Sequence, residues 1–469
     1  MNIEDINLGE PPTGAGGDTM RTAFGKTNQN FGAAKQALED EVQAREQLLS
    51  TQRDQLIALI ESVNGPLPAL RADFKARSFG FKDEAGLFLP CGFGDVFSLS
   101  APSPRWVWDS LRQLVEVPAG QPAFDHDPVT GEPLGQRLRP EATNHFPHWA
   151  IEWGGHDGTA TRALVAAENP FGLNQVTQVS QSGSGSIFYI YVTGVPNQED
   201  GVNTFTFTVK PGPGIKEIGC ETSPVQPFYF RYNVDTGEVG KRAENSVDVT
   251  LLRDGFIQFS VCNPNVPNLT RLLSCVCEPR DGSAGAADSY FLTTAWNYNH
   301  ASSFQGHIIT DGSAVTRAAD VVTIQSVDRA EWFNADAFTL YAEVTPDDVQ
   351  NLSPAVVLGA TAQDRVILFF QNGEAVAQVR GNQGITSISP APEINTGDKC
   401  RFAVSYRPGT AHISFNGVTQ TVVNELDATP TRVAFGSLLN GTFRSSLTLS
   451  DFTITKRALS VAELQELTS

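Results

Sequence analysis

Carboxylates, an imidazole and thiols that could do chemistry stand in two short stretches of this 469-residue chain. Asp125, His126 and Asp127 place two carboxylates beside an imidazole, a set that could bind calcium or transfer protons. The Asp-Pro and Thr-Gly pairs that follow are typical of a tight turn, and we favour that interpretation. Cys275 and Cys277 have no histidine or second cysteine pair nearby at zinc-like spacing. The sequence therefore predicts no catalytic residue, no metal site and no cofactor.

A third stretch, TTAWNYNHASSFQGHII, alternates aromatic and polar residues. Trp296, Tyr298 and His300 stand two residues apart, so a strand would place them on one face. Such rings, beside the amides of Asn297 and Asn299, suit a sugar, because its CH face stacks on an aromatic ring while its hydroxyls take hydrogen bonds. We take the three residues as the candidate ligand-binding site. The alternative is an inward-facing core strand or a contact between subunits.

The charge of the chain argues against nucleic-acid binding. With 33 basic and 52 acidic residues it carries a formal charge of −19, and its few cations are scattered, so a nucleic acid would be repelled. No segment reaches the roughly 18 consecutive apolar residues that a membrane helix needs, and the N-terminus lacks the basic start and apolar run of a signal peptide. We expect a soluble protein made in a cytoplasm, with about three folded units at roughly 150 residues each.

Residues 31–63 have the composition of one continuous helix, rich in Ala, Glu, Gln, Leu and Arg and free of Pro. A heptad register with Val42 at position a gives a mostly apolar seam, which favours a parallel three-stranded coiled coil of roughly 45 to 50 Å. The predicted seam consists of Leu38, Val42, Leu49, Leu56, Leu59 and Val63. Arg45 and Gln52 also fall in the seam, where polar residues lower stability but fix register. The alternative is an amphipathic helix packed on its own domain.

The residues before this helix carry a specific motif, GDTMRTAFGKTNQNF. It resembles the G-D-T-x-R-x-A-F-x-K-x-N-x-N-F motif near the N-termini of virion appendage proteins of tailed bacteriophages. The resemblance implies that this part of the chain is a virion anchor, with Asp18, Arg21, Phe24 and Phe31 as its contact residues. Physically, Asp18 or Thr19 can cap a short helix that presents the two phenylalanines as one apolar stripe and needs a partner surface.

The stretch FDHDPVTGEPLGQRLRPEATN, at residues 124–144, resembles a segment common in phage tail and structural proteins. In that family it opens a carbohydrate-binding-like β-sandwich and is written F-D-x-D-P-x-T-G-E-x-x-G followed by E-P-x-x-T-N. Arg139 stands here where the pattern has Glu, and the aromatic stretch at Trp296 replaces the family's W-G-A-Q-x-E run. The resemblance implies an antiparallel sandwich, preceded by a β-rich neck that contains Trp106 and Trp108.

The last block of the chain is typical of a second sandwich. Residues alternate in AFTLYAEV, and Asn372-Gly373 is a typical hairpin turn. The terminal piece LTLSDFTITKRALSVAELQELTS resembles the end of laminin G-like, concanavalin-like jelly rolls. Ser460 and Glu463 form an S-x-x-E capping box, which predicts a final helix lying on the sandwich.

Together, the resemblances imply a mainly β, homotrimeric bacteriophage tail fibre that recognises a host surface glycan without covalent chemistry. It would be made in the host bacterial cytoplasm and reside in the virion, with another virion protein and a host saccharide as partners and without nucleic acid or membrane insertion. Two alternatives are a head fibre or capsid-decorating protein and a glycan-depolymerising tailspike, although no β-helix period is present. The predicted order is a virion-anchoring segment at 1–30, a coiled-coil stalk at 31–63, a β-rich neck at 64–120, a carbohydrate-binding-like β-sandwich at 121–324 and a laminin G-like β-sandwich at 325–469.

Overall fold

The computed structural model of the chain divides into two compact units, Met1–Leu67 and Pro68–Ser469. None of the helices that it describes is long and apolar enough to cross a membrane. The structure describes residues 15–16, 18–64, 69–82, 88–149, 155–156, 160–181, 188–195, 202–223, 230–241, 245–263, 271–279, 289–349, 352–381, 384–388, 393–423 and 425–469.

The first unit contains helix α1, Met20–Asn64, whose 45 residues span about 70 Å at 1.5 Å per residue. Thr19 is its N-cap, because the Thr19 Oγ1 atom accepts a hydrogen bond from the backbone N–H of Thr22 at 3.2 Å. The predicted helix over 31–63 is confirmed. It is continuous with the predicted short helix before it, since two glycines lower helix propensity without breaking the helix as Pro would. The coiled coil stays a prediction.

The second unit is built mainly of β-strands, so the predicted fold class is confirmed as mainly β. In chain order its strands are β1 Leu70–Asp73, β2 Ser78–Lys82, β3 Phe88–Cys91, β4 Ser98–Ser100, β5 Arg105–Trp108, β6 Leu114–Val117, β7 Phe124–His126, β8 Pro133–Leu138, β9 Ala142–Asn144, β10 Gly155–His156, β11 Ala160–Val165, β12 Val176–Gln181, β13 Phe188–Val195, β14 Asn203–Pro211, β15 Ile215–Ser223, β16 Phe230–Asn233, β17 Val239–Lys241, β18 Ser246–Leu251, β19 Ile257–Asn263, β20 Arg271–Pro279, β21 Tyr290–Asn299, β22 Val315–Arg317, β23 Val321–Gln325, β24 Phe338–Pro346, β25 Ser353–Thr361, β26 Asp364–Gln371, β27 Glu374–Gly381, β28 Gly384–Ile388, β29 Cys400–Arg407, β30 Thr410–Phe415, β31 Val418–Val422, β32 Arg432–Phe435 and β33 Leu447–Thr455. Helices α2 Phe93–Val96 and α3 Val461–Thr468 and 3-10 turns at Arg253–Gly255 and Val327–Arg329 complete the unit.

The larger of two sandwiches packs two antiparallel sheets face to face. One sheet has the spatial order β3, β2, β1, β33, β24, β29, β30, β31, with β8 added beside β33 and β7 beside β8. The other has the order β28, β27, β26, β25, β32, β23, β4. Their shared core is apolar and includes Phe74, Phe338, Phe402, Phe435 and Phe452. The rings of Phe435 and Phe452 meet edge to face at 4.8 Å, which joins the two sheets at their centre.

The smaller sandwich has sheets in the orders β10, β13, β20, β15, β16, β17 and β11, β12, β21, β14, β19, β18. Its core contains Phe205, Phe207, Phe259 and Trp296. The alternating phenylalanines of β14 predict a half-buried strand, but the structure buries both faces of it. Part of the polar face is satisfied by hydrogen bonds such as the one between the hydroxyls of Thr206 and Ser260, at 3.0 Å.

The two sandwiches divide the chain differently from the predicted boundaries at 64–120, 121–324 and 325–469. Strands β1 to β4 belong to the larger sandwich, β7 and β8 join it through β33, and β23 pairs with β4 and β32. The smaller sandwich is therefore inserted within the larger one. The reason is physical: alternation in sequence predicts that a strand forms but not its partner, and the buried Leu70, Ala72 and Phe74 match the apolar face of β33.

The predicted final helix is confirmed as α3. Ser460 is its N-cap, and the backbone N–H of Ser460 donates to the Glu463 Oε2 atom at 2.7 Å, so the capping box forms. Leu464 is fully buried against Tyr341 and Ala403. The helix therefore covers the outer face of β29 and β30, and its Leu464 also reaches Tyr341 of β24.

Candidate functional site

An open cleft of about 740 Å³ lies where the two sandwiches meet. One wall comes from segments 140–145 and 299–305, which contain or adjoin β9 and β21. The other comes from Asp348, Leu352 and Ser353 and from residues 444–446. Polar side chains that line it include Glu141, Thr143, His145, Asn299, His300, Ser302, Asp348, Arg444 and Ser445. Hydroxyls, an amide, imidazoles and charged groups therefore surround a volume that suits a small polar ligand.

Two histidines from different segments stack on the first wall. The ring centroids of His145 and His300 are 4.0 Å apart with an interplanar angle of 23°. Burial, and then the neighbouring His300, lower the pKa of His145 to about 4. His145 is therefore neutral near pH 7, and a neutral imidazole has one N–H donor and one acceptor nitrogen for a ligand.

Hydrogen bonds fix the lining of the cleft, and one of them joins its two walls. Ser302 on the smaller sandwich donates its hydroxyl to the Asp348 Oδ2 atom of the larger one at 2.8 Å. The Asn299 side chain donates from Nδ2 to the carbonyl of Thr143 at 3.1 Å. Its Oδ1 atom is buried and has no hydrogen-bond partner among the described residues. An unsatisfied buried acceptor of this kind costs about 1–3 kcal/mol.

The structure brings only His300 of the three predicted ligand residues to this cleft. Trp296 and Tyr298 are 0% exposed in the core of the smaller sandwich, so they are no stacking platform, and the core alternative holds for both. The Trp296 Nε1 atom donates to the Thr293 hydroxyl at 2.8 Å, and the Tyr298 hydroxyl donates to the Asn203 Oδ1 atom at 2.9 Å. The polar atoms of both rings are therefore satisfied inside the core.

A β-bulge at Ala295 explains this placement. Ala295 has a φ of +57°, and the pairing of β21 with β14 shifts register there. The extra residue changes the parity of the strand, because Phe291 before it and Trp296 after it face the same core. The spacing predicts that the rings share a face, and they do, but nothing in the spacing says that this face is the inner one.

Of the cluster at Asp125 to Asp127, Asp127 opens the turn that we predicted, whereas Asp125 and His126 belong to strand β7. The Asp127 Oδ1 atom accepts the backbone N–H groups of Val129 and Thr130, both at 2.7 Å. Asp125 accepts the N–H of Trp108 at 2.8 Å. Nowhere in the described ranges do three His, Cys, Asp or Glu side chains stand close enough to hold a metal ion. Cys275 and Cys277 lie in β20, with side chains outside the described part of the chain.

The predicted anchor and seam residues lie along α1. Phe24, Phe31, Leu38 and Leu49 are each more than 60% exposed, and Val42 is 48% exposed. Asp18 forms an ion pair with Lys26 at 2.9 Å, and Arg21 is exposed. The side chains of Leu56, Leu59 and Val63 lie outside the described residues. The helix thus presents a row of uncovered apolar groups at heptad spacing.

Sequence reasoning missed His145, Asp348 and Arg444 as cleft residues. They come from three segments that are far apart in sequence, and only the meeting of the two sandwiches brings them together. The scarcity of histidine, seven in the whole chain, is the one sequence signal that could have drawn attention to His145.

Comparisons with known proteins place this chain in no family. No family model and no curated protein matches it. Among solved structures, the CBM40 of the Ruminococcus gnavus IT-sialidase is 14% identical, with a TM-score of 0.26 over 29% of this chain and 84% of that one. The NanB sialidase from Streptococcus pneumoniae is 14% identical, with a TM-score of 0.27 over 31% of this chain and 26% of that one. The SAP-like pentraxin from Limulus polyphemus is 17% identical, with a TM-score of 0.25 over 29% of this chain and 70% of that one.

Proposed function

We propose that this protein is a structural component of a bacteriophage virion appendage, and that it binds a host surface glycan in the cleft without cleaving it. The observation that carries the glycan proposal is the composition of the cleft. Neutral imidazole, amide and hydroxyl groups line the cleft, and such groups exchange hydrogen bonds with sugar hydroxyls. The place in a virion rests on the resemblance of the N-terminal motif.

Trimerisation of α1 completes the proposal. Leu38, Val42 and Leu49 occupy seam positions and are exposed in the single chain, so burial between helices would stabilise an assembly by about 1.5 to 3 kcal/mol per side chain. Three copies would raise a weak sugar affinity through effective concentration. Phe24 and Phe31, which lie outside the predicted seam, would contact another virion protein. A tail fibre and a head fibre share all these features, and the position of the protein in an image of the virion decides between them.

The assembly is tested by the mass of the purified chain. Light scattering should give about three times the 50.6 kDa monomer mass. Leu49→Asp places a charge in the seam and should release monomers, whereas Gln47→Asp, on the outer side of the same helix turn, should leave the mass unchanged. A wild-type monomer at micromolar concentration would rule out the trimer.

Glycan binding is tested with His300→Ala, which removes a cleft side chain at the end of β21. The variant should lose adsorption to host cells while its melting temperature stays near the wild-type value. His412→Ala is the matched control, because His412 hydrogen-bonds Thr421 on the outer strands β30 and β31 and does not line the cleft. Equal adsorption by both variants would contradict a role of the cleft.

The non-enzymatic part of the proposal is tested separately. Incubation with host polysaccharide should release no oligosaccharides. Two carboxylates, Glu141 and Asp348, line the cleft. Most glycosidases use a pair of carboxyl groups as their catalytic residues. Steady release of fragments that stops in Asp348→Asn would therefore establish the depolymerase alternative.

A further inference from the structure

A second pocket, of about 430 Å³, lies on the larger sandwich and shares no lining residue with the cleft. The polar side chains that line it are those of Lys75, Glu132, Arg137, Thr345, Lys399, Thr448 and Ser450. Three of them are cations, three carry hydroxyls and one is a carboxylate. Because the whole chain has a formal charge of −19, a pocket in which cations outnumber carboxylates is unusual for this protein.

The pocket lies where strand β33 changes its neighbours at Ser450. On one side, β33 pairs with β8 as far as Leu449 and with β1 from Asp451 onward. On the other side, its register with β24 shifts between Glu343 and Val344. Ser450 is therefore an extra residue in β33, a β-bulge, and bulges of this kind re-aim side chains and interrupt strand pairing.

Arg137 is fixed on the outer face of this sheet. The next residue, Leu138, is buried in the core of the larger sandwich, so alternation along β8 places Arg137 on the opposite face. Its Nη1 atom donates to the Thr448 hydroxyl at 2.9 Å, and its Nη2 atom pairs with the Asp347 carboxylate at 2.7 Å. Arg137 and Thr345 both lie opposite Thr448 in the ladder, so one cation and two hydroxyls form a row across three strands.

The two lysines of the pocket converge with Arg401 on one buried carboxylate. The Lys75 Nζ atom is 2.5 Å from the Glu343 Oε1 atom, and the Lys399 Nζ atom is 3.8 Å from the same oxygen. The Arg401 Nε atom donates to the Glu343 Oε2 atom at 3.0 Å. Burial alone would raise the pKa of Glu343, but hydrogen bonds from Lys75 and Arg401 and the lysine charges lower it. The positive field at this carboxylate therefore outweighs its burial.

One carboxylate compensates only one of these three cations, so positive charge is left beside the pocket. Among the described residues, no other carboxylate is within ion-pair distance of Lys75 or Lys399. An ammonium group has three N–H donors. Lys75 uses one of them on Glu343, and Lys399 at 3.8 Å is beyond hydrogen-bond distance. The two side chains are 34% and 53% exposed, so most of their donors are available to a ligand.

We propose that this pocket binds a phosphate or sulfate group, with Lys75 and Lys399 as its direct contacts. Such a group has several oxygens, and two ammonium groups that approach one point from different segments can share them. Arg137 adds positive charge from the other side of the pocket, and the lining hydroxyls can bond the rest of the ligand. A volume of about 430 Å³ is in the range of small-ligand sites, so a sugar that carries the group fits as well as the free ion. The inference is independent of the glycan proposed for the cleft.

Calorimetric titration of the full-length chain tests the site. The probes are inorganic phosphate, inorganic sulfate, glucose 6-phosphate and glucose 6-sulfate, with glucose as the neutral counterpart. Wild type should bind the charged probes with an affinity that falls as the salt concentration rises. Tighter binding of the two sugar derivatives would identify an acidic saccharide as the ligand, and equal affinities would identify the free ion.

Lys399 is the residue to substitute, because it is half exposed and makes no hydrogen bond to Glu343, so its loss should leave the melting temperature near the wild-type value. Lys399→Gln should weaken the charged probes by roughly tenfold or more, without changing any binding of glucose, and Lys399→Arg should retain them. Lys456→Gln is the matched control, since Lys456 is exposed, follows the far end of β33 and does not line the pocket.

Three results would overturn the inference. One is that wild type binds none of the charged probes, and another is that Lys399→Gln and Lys456→Gln bind them equally well. The third is that His300→Ala abolishes their binding, because the anion would then be held in the cleft. None of these results bears on adsorption to host cells, so the pocket and the proposed function are tested separately.

Discussion

The stability of the smaller sandwich should depend on pH through one buried imidazole. His307 is 3% exposed and lies within 6 Å, ring centroid to ring centroid, of Trp108, Trp149, Phe171 and Phe304. Burial, and then the nearby positive charge of Arg139, lower its pKa to about 3. An unfolded chain protonates histidine near pH 6.5. Between these two pKa values the imidazole is protonated in the unfolded state and neutral in the folded state.

The sign and size of the effect follow from this difference. The stabilisation is fully present above about pH 6.5 and is lost as the pH falls toward 3, by about 1.4 kcal/mol per pH unit. From pH 7.5 to 4.5, His307 should therefore cost roughly 3 kcal/mol of the free energy of unfolding. This window lies above the range where most exposed carboxylates titrate.

The comparison of wild type with His307→Gln isolates this contribution. Glutamine does not titrate, so other groups cancel when the two unfolding free energies are subtracted at each pH. Urea unfolding followed by tryptophan fluorescence at pH 7.5, 6.5, 5.5 and 4.5 gives the two curves. The unfolding free energy of wild type minus that of His307→Gln should decrease by about 3 kcal/mol from pH 7.5 to pH 4.5, whatever its value at pH 7.5. Parallel curves would refute the reasoning and place a protonated or solvated imidazole at this position.

Three further outcomes follow from the same structure. Trp296→Ala should cost about 3–5 kcal/mol of unfolding free energy, measured by denaturant titration, because it empties a site in the core; a variant of normal stability would return Trp296 to the ligand-site hypothesis. Hydrogen bonds from Arg457 and from the Ser460 N–H hold the pKa of Glu463 at about 2, so the cap of α3 should stabilise the fold above pH 4.5 and weaken as the pH falls toward 2. Glu463→Gln should lower stability by about 1 kcal/mol at pH 7, and calorimetry at pH 7 and pH 3 should show a smaller gap at the lower pH. Replacing both Phe24 and Phe31 with Ser should yield particles that lack the protein while free chains keep their oligomeric mass, and normal incorporation would place the anchor elsewhere.

Local interactions account for the part of this fold that the sequence predicts. The long helix, the Asp127 turn and the Ser460 capping box each depend on residues within a few positions of one another, so composition and spacing are enough. The partners of strands are set by distant contacts. β1 pairs with β33 across most of the chain, and no local pattern encodes that choice.

The cleft was beyond prediction for the same reason. His145 and His300 stack although they are 155 residues apart in the sequence. Asp348, which hydrogen-bonds Ser302, belongs to the other sandwich. A bulge of one residue at Ala295 then decides which face of β21 is buried. A period of two in the sequence identifies rings that share a face of the strand. It does not reveal the bulge at Ala295, which turns that face toward the core.

Two buried arginines, Arg139 and Arg317, support the lining of the cleft, and Arg139 is the residue that departs from the sequence pattern that residues 124–144 resemble. The Arg317 guanidinium donates to the carbonyl of Gln305 at 2.6 Å and to the carbonyl of Pro140 at 2.9 Å, and both of these residues line the cleft. Arg139, in the place of the pattern's Glu, is buried against Gly306, where any side chain would collide with its guanidinium. The Arg317 guanidinium therefore joins the backbones of two segments that line the cleft, and Arg139 packs against the second of them at Gly306. Because these contacts are made through the backbone, substitution of the side chains that face the cleft should leave its frame in place.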